Sequence, residues 1–257
     1  MRYDKQKYIT LLKEMTLADF KTKHINAYLG VLWNLLDPLL LFGAMYLVFS
    51  VFLDWRTPDY TVYLLLGIIL WTFFSDVTAK GMVSIHGKAG LITKVNFPKE
   101  IIVFSSGINA LITLIISFLV FIVMFIFSPV SFHGTIFLLP VFIAQLILVA
   151  LGTSFFLSAF FLRFRDLSFI WSFLLKIGFW VTPVVIPLTK IPEKYHKFLL
   201  LNPLTNIIKG ARDAVIYNTS PSIFNMVWVT LAALAIFLAG YFIFKRMEKY
   251  FADYVVF

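Results

Sequence analysis

The side chains able to do chemistry in this chain are few, and most sit at the edges of long apolar runs. One exception stands inside a run. Lys176 lies ten residues into the apolar stretch Leu167 to Ile186, and the sequence offers no acid at matching depth. An ammonium inside a bilayer is costly unless it faces water, an anion or buried acceptors. Ser172, Phe173, Phe179, Trp180 and Pro183 share its helical face at spacings of three, four and seven. That face either lines a cavity, with aromatic planes and a cation that attracts phosphate, or lies inside a bundle with the lysine bonded to backbone carbonyls. Elsewhere the chemistry is defined by what is missing. No G-x-x-x-x-G-K-[ST] loop is present, so ATP is not bound by that route. His24, His86, His133 and His196 all lie outside the apolar runs, and Asp37, Asp76 and Glu100 lie near their ends. This leaves no intramembrane proton relay, no catalytic constellation and no clustered metal ligands. Cysteine is absent, which excludes disulfides and thiolate sites. Any uphill transport must draw its energy from another subunit.

The elements that carry these groups are membrane spans. The 257 residues are 61% hydrophobic, against about 45–50% for a soluble domain. Aromatic residues make up 18% of the chain; most are expected to pack or face lipid, and their number alone defines no sugar path. Six apolar runs reach the roughly 17–25 residues that cross a bilayer: Val31–Leu53, Tyr60–Val77, Ile101–Phe127, Ile136–Leu162, Leu167–Ile186 and Ile223–Phe244. The expected fold is an all-α membrane protein, a single domain over 1–257. Residues 1–30 form an arm, 31–244 the spans and 245–257 a tail. The N-terminus lacks the apolar core of a signal peptide, so no cleaved segment is expected.

Loop charge gives orientation. The arm carries Arg2, Lys5, Lys7, Lys13, Lys21 and Lys23; the loop Lys80–Glu100 carries four lysines; Arg163, Arg165 and the tail residues Lys245, Arg246 and Lys249 fall on the same side. The other side has Arg56 and five basic residues in the long loop after the fifth span. Both termini are therefore expected in the cytoplasm, and the net charge of +9 reflects topology and anionic lipid, with no nucleic acid implied. In the arm, Tyr8, Ile9, Leu11, Leu12 and Met15 make one apolar face, as in a helix lying in the interface. In the Lys80–Glu100 loop, Met82, Ile85, Ala89 and Ile92 recur at helical spacing. This is either a short amphipathic helix that docks on a soluble partner or an ordinary connector. On the external side, Pro192 and the Asn202-Pro203 cap open two short helices. In the second, Leu204, Ile207, Ile208, Ala211 and Val215 form the apolar stripe, with Lys209, Arg212 and Asp213 polar.

The order of several short motifs resembles the membrane permease of type-2 ABC exporters, specifically those for lipid-linked polysaccharides such as O-antigen and wall teichoic acid. They are Asp19-Phe-Lys-Thr-Lys-His, Tyr28-Leu-Gly-Val-Leu-Trp33, Leu91-Ile-Thr-Lys94-Val-Asn-Phe97-Pro98, Phe161-Leu-Arg-Phe-Arg-Asp166-Leu, Trp180-Val-Thr-Pro183-Val and Asn202-Pro203-Leu. The resemblance implies a homodimer with two copies of a separate ATPase subunit that holds ATP and Mg. No cofactor is then expected on this chain. It implies an interface helix in the arm and a coupling helix in the loop. The docking group would be Met82, Ile85, His86, Lys88, Leu91, Lys94, Phe97 and Pro98, with Arg163, Arg165 and Asp166 beside it. The external helices would be gate or re-entrant helices, with Pro192, Asn202, Pro203 and Arg212 as gate residues. Lys176 and its face would line a path for a polyprenyl-diphosphate-linked glycan across a bacterial plasma membrane. Two other classes fit the same composition. One is a permease for a drug, lipid or small glycolipid; the other is a passive channel or ion-coupled carrier.

Overall fold

The computed structural model of the chain describes residues 4–24, 33–53 and 59–251. The start of the first expected span, the Tyr28–Leu32 part of the second motif and the loop with Arg56 lie outside the described residues, as do the side chains of Lys23 and His24. Within them the chain is helical, with no strand. In order come α1 (Lys5–His24), α2 (Trp33–Tyr46) running into a π-helical turn (Leu47–Phe52), α3 (Tyr60–Gly87), α4 (Ala89–Ile92), α5 (Glu100–Ile126), α6 (Leu139–Phe161) preceded by a 3-10 turn, α7 (Leu167–Val181), α8 (His196–Leu199), α9 (Pro203–Val215) and α10 (Ile223–Met247).

α3 is the hub. Its 28 residues span about 42 Å at 1.5 Å per residue, and nearly every side chain from Val62 to Phe74 is buried. It packs on α5, α6, α7 and α9. The other long helices bury one side and leave Ile115, Leu119, Ile122 and Phe242 exposed, as expected of faces that meet lipid or another copy. α6 and α10 form the closest pair. They meet at Gly152 and Gly240, where a Cβ on Gly152 would stand 2.5 Å from Phe237 Cα. Small residues let helix backbones approach in this way in a membrane.

The fifth expected span is shorter as a helix than the hydropathy suggests, and the start of the first lies outside the described residues. Four helical segments are long and apolar enough to cross a membrane among the described residues: Tyr60–Gly87, Glu100–Ile126, Gly134–Phe161 and Ile223–Tyr250. Leu36–Phe52 and Leu167–Val181 are shorter. α7 stops because Thr182 turns extended and Pro183 and Pro187 follow. The apolar run continues to Ile186 as non-helical backbone.

At the charged end of the bundle, α1 lies against α5. Tyr8, Leu11, Leu12 and Met15 join a second apolar cluster with Phe155 and Phe244. Ile9 departs from the expected face and is 65% exposed. The helix is docked on protein, so only its protein-side residues are covered.

Candidate functional site: a charged surface and a membrane cavity

The Lys80–Glu100 loop does not hold a long separate helix. α3 runs straight through Met82 and Ile85 to Gly87, and only Ala89–Ile92 forms a turn of its own. Met82 packs with Leu157 and Phe161, and Ile85 is fully buried. Both were expected to face a partner and instead form core, because an extended α3 must bury its stripe on α6. Phe97 is also buried, and Pro98 is half-buried. The residues left outward are Val83, His86, Leu91, Lys94 and Val95. His86 meets the Phe161 ring edge-on, and the Arg165 guanidinium sits 5.4 Å from the same ring. Arg163, Phe164 and Asp166 are exposed next to it. The loop and the α6–α7 corner thus present one mixed basic and apolar surface.

Two polar clusters hold that surface in place, and neither has a direct sign in the residue pattern. Lys88 Nζ donates to Asp19 Oδ2 of α1 at 2.7 Å, and Ser105 Oγ donates to the same oxygen at 3.0 Å. Asn109 Nδ2 donates to the Thr16 carbonyl at 3.2 Å. At the other edge, Lys245 Nζ of α10 donates to Glu100 at 2.6 Å and to Glu248 at 2.9 Å, and Glu248 accepts from the Lys99 backbone N–H. Tyr8 lies beside this group. Burial pushes its phenol up to about 12, and the charge of Glu100 adds to the rise. Asp19, one of three acids in the basic arm, and Glu100, the single acid of the loop, were the only available hints.

Within the spans, a cavity of about 490 Å³ opens between α2, α3 and α7. Ser172, Lys176, Phe179 and Trp180 line it, together with Trp71, Thr72 and Ser75 of α3. Lys176 is exposed on its wall and makes no backbone hydrogen bond among the described residues. Asp37 and Asp76 line the same cavity, with Asp76 paired to Lys80. Phe173 points away and is 61% exposed. Pro183 lies past the end of α7 and lines a different cavity. A wall of indole rings, hydroxyls, carboxylates and one ammonium suits a ligand with both flat apolar faces and hydroxyl groups.

The end of α3 away from the loop packs against α9, which was expected on the external side. Asn202 caps it, its side chain accepting from Leu204 N–H at 3.0 Å, with Pro203 in the first turn. Pro192 is exposed ahead of α8. The apolar stripe Leu204, Ile207, Ile208, Ala211 and Val215 is buried as its spacing requires. Arg212 does not join the polar face: it is 3% exposed. Its Nε donates to the Tyr63 carbonyl at 3.0 Å, and its two terminal nitrogens donate to the Pro183 and Val184 carbonyls, each at 2.6 Å. The guanidinium carbon stands 3.5 Å from the centre of the Tyr63 ring. Burial pushes Arg212 below its ordinary value, while Tyr63, Tyr217, Tyr60 and Asp213 draw it back up. A small cavity of about 140 Å³ adjoins it, lined also by Tyr217 and by Lys209, which pairs with Asp213.

The chain is 25% identical to an O-antigen export system permease protein of Klebsiella pneumoniae over 260 residues, covering 98% of each. An O-antigen export system permease protein of Myxococcus xanthus is 25% identical, covering 96% of this chain and 95% of its own length. A polysialic acid transport protein of Escherichia coli is 26% identical, covering 90% and 92%. The sequence pattern of the ABC-2 type transporter family matches residues 10–216. The chain is a multi-pass membrane protein and belongs to the ABC-2 type transporter family, as a membrane permease.

Proposed function

We propose that this chain is the permease subunit of an ATP-driven exporter of lipid-linked cell-surface polysaccharide, of the O-antigen or teichoic acid kind. It works as a homodimer with two copies of a separate nucleotide-binding subunit in a bacterial plasma membrane, both termini in the cytoplasm. The observation that carries this reading is the end-to-end match with relatives named as O-antigen permeases.

The fold supplies a mechanical route for it. The nucleotide-binding subunit docks on the exposed part of the loop, Leu91, Lys94 and Val95, and on Arg163 and Arg165. α4 is joined to α3 by a single residue, Lys88. α3 then runs without a break past the cavity wall at Asp76, Ser75, Thr72 and Trp71 to Tyr63 at the far end. A rod of this kind converts a displacement at the docking surface into movement of the cavity wall. Closure of the ATP-bound partner thereby biases the spans between two arrangements. The clamp of Asp19 on Lys88 makes α1 move with the rod.

Replacing Ala89–Val95 with a Gly/Ser linker tests the docking. This stretch leaves buried Met82 and Ile85 intact. A nucleotide-binding subunit should co-purify with the parent chain from its native membrane and be lost with the replacement. Recovery of no such subunit with the parent chain would sink the exporter reading. Glycan class is then read by supplying lipid-linked polysaccharide to reconstituted vesicles and measuring ATP-dependent uptake.

A further inference from the structure

We infer that Arg212 is a positioning residue that ties the external helix α9 to the outer end of the cavity-lining helix α7, so that the two move as one body during transport. The consequence for transport rests on the function proposed above; the tie itself rests on geometry.

A guanidinium as buried as Arg212 needs compensation, usually from a carboxylate. Among the described residues none pairs with it: its neighbour Asp213 is engaged by Lys209. The compensation is three backbone carbonyls and the face of Tyr63. Two of those carbonyls, from Pro183 and Val184, belong to the non-helical segment that follows α7. Non-helical backbone buried at a membrane end must find donors from elsewhere. Arg212 supplies them for two successive carbonyls, and Tyr60 Oη donates to the next, Val185, at 3.2 Å. A weaker second link has the same ends. Asn202 Nδ2 of the α9 cap donates to Thr182 Oγ1 at 3.4 Å.

The tie is separable from the docking of α9. Ile207, Ile208, Ala211, Ala214 and Val215 are buried without reference to the guanidinium, so α9 keeps its apolar seat when Arg212 is removed. The receiving side is equally specific. Gly67 of α3 leaves the space that Arg212 occupies; a Cβ there would collide with its terminal nitrogen and stand 3.0 Å from the Val184 carbonyl. α7, two residues before the tied segment, carries Lys176, Phe179 and Trp180 into the cavity. A shift of α9 at the external end is thus delivered to the wall that contacts a transported ligand.

The chain has no cysteine, so a single Val185→Cys reports on the tie. Val185 is 1% exposed and should be shielded from a membrane-impermeant maleimide added outside. Thr189→Cys, which is exposed, serves as the labelled control. Adding Arg212→Met should raise labelling at 185 by about tenfold or more, since each hydrogen bond to a charged donor is worth that much. In the complex it should lower export by at least as much while ATP hydrolysis continues, and Arg212→Lys should restore part of both. Gly67→Ala, which attacks the same contact from α3, should act in the same direction and decides the matter if Arg212→Met fails to accumulate. Unchanged shielding at 185 in these variants, or loss of export and hydrolysis in equal proportion, would overturn the inference. Labelling needs no export substrate, so it stands or falls separately from the polysaccharide reading.

Discussion

The contact of α6 with α10 allows a stability prediction to be worked from the structure. Gly152→Ala places a Cβ 2.5 Å from Phe237 Cα, 2.6 Å from the Ile236 carbonyl oxygen and 2.7 Å from its carbon, whereas ordinary contact begins at 3.4 Å. All three are backbone atoms, so no rotamer change relieves the clash. The helices must part by roughly 1 Å, which loosens the packing of Val149 and Phe155 against Val229, Ala233 and Phe244 and forfeits part of each contact's attraction. Overpacking of this kind costs about 1–3 kcal/mol, offset by about 0.5–1 kcal/mol from the helix preference of alanine over glycine. The expected net loss is about 0–2.5 kcal/mol, in the upper part of that range because all three contacts are with backbone. Gly240→Ala meets Gly152 from the other side and should cost about the same. Once one alanine has parted the helices, the second meets less resistance, so the double variant should lose clearly less than the two singles together. Gly43→Ala in α2, with nothing within 4 Å of its added carbon, is the control and should be neutral or slightly stabilising. Equilibrium unfolding of the detergent-solubilised protein by titrated SDS measures all four. A Gly152→Ala protein as stable as its parent, or strictly additive losses, would show that α6 and α10 are not in backbone contact at these glycines.

Three further outcomes follow from the polar groups. Lys88→Met should weaken the seating of α1 by roughly 1–2 kcal/mol, between the values for exposed and buried ion pairs, because it leaves Asp19 with Ser105 alone; amide exchange should speed up in α1 and leave α6 and α10 unchanged. For Tyr8, whose pKa is raised to about 12 from 10.0, the neutral phenol favours docking. Its contribution is full below pH 10 and is lost as pH rises through about 12. Tyr8→Phe should remove that part of the alkaline loss of arm docking, although Tyr241 and Lys245 titrate beside it; an unchanged pH profile would count against a docked phenol. Lys176→Ala should impair export while leaving association with the nucleotide-binding subunit intact, and normal export at normal abundance would remove Lys176 from the path.

Hydropathy made the long spans legible because a bilayer demands length and apolarity and little else. Residues Glu100–Ile126 and Ile223–Tyr250 read directly as spans. It failed at α7, where the apolar run to Ile186 continues after the helix ends. Composition records that a segment avoids water and says nothing of whether its carbonyls are satisfied within it. The stripe through Met82 and Ile85 shows a related limit. Helical periodicity reveals that one face is covered, and the cover proved to be Leu157 and Phe161 of the same chain. The α9 stripe was legible for the same reason and was read correctly, apart from one residue.

That residue, Arg212, shows why the polar part of the site resisted reading. Charge on a helix next to Lys209 and Asp213 ordinarily marks its wet face. Its burial depends on acceptors distant in sequence: the Tyr63 carbonyl of α3, and the Pro183 and Val184 carbonyls, which are free to accept only because α7 breaks. The acids that share the cavity with Lys176 likewise come from α2 and α3, and the clamps on α1 and α10 join Asp19 to Lys88 and Glu100 to Lys245. Arg212 and the two clamps are polar side chains that each join two elements, which hydrophobic packing alone would leave free to slide. A membrane interior offers apolar surfaces little preference for one register over another, so directional bonds at the ends must set it. On the function proposed above, the same bonds pass movement from one element to the next, between α1 and α3 through Asp19 and Lys88 and between α9 and α7 through Arg212.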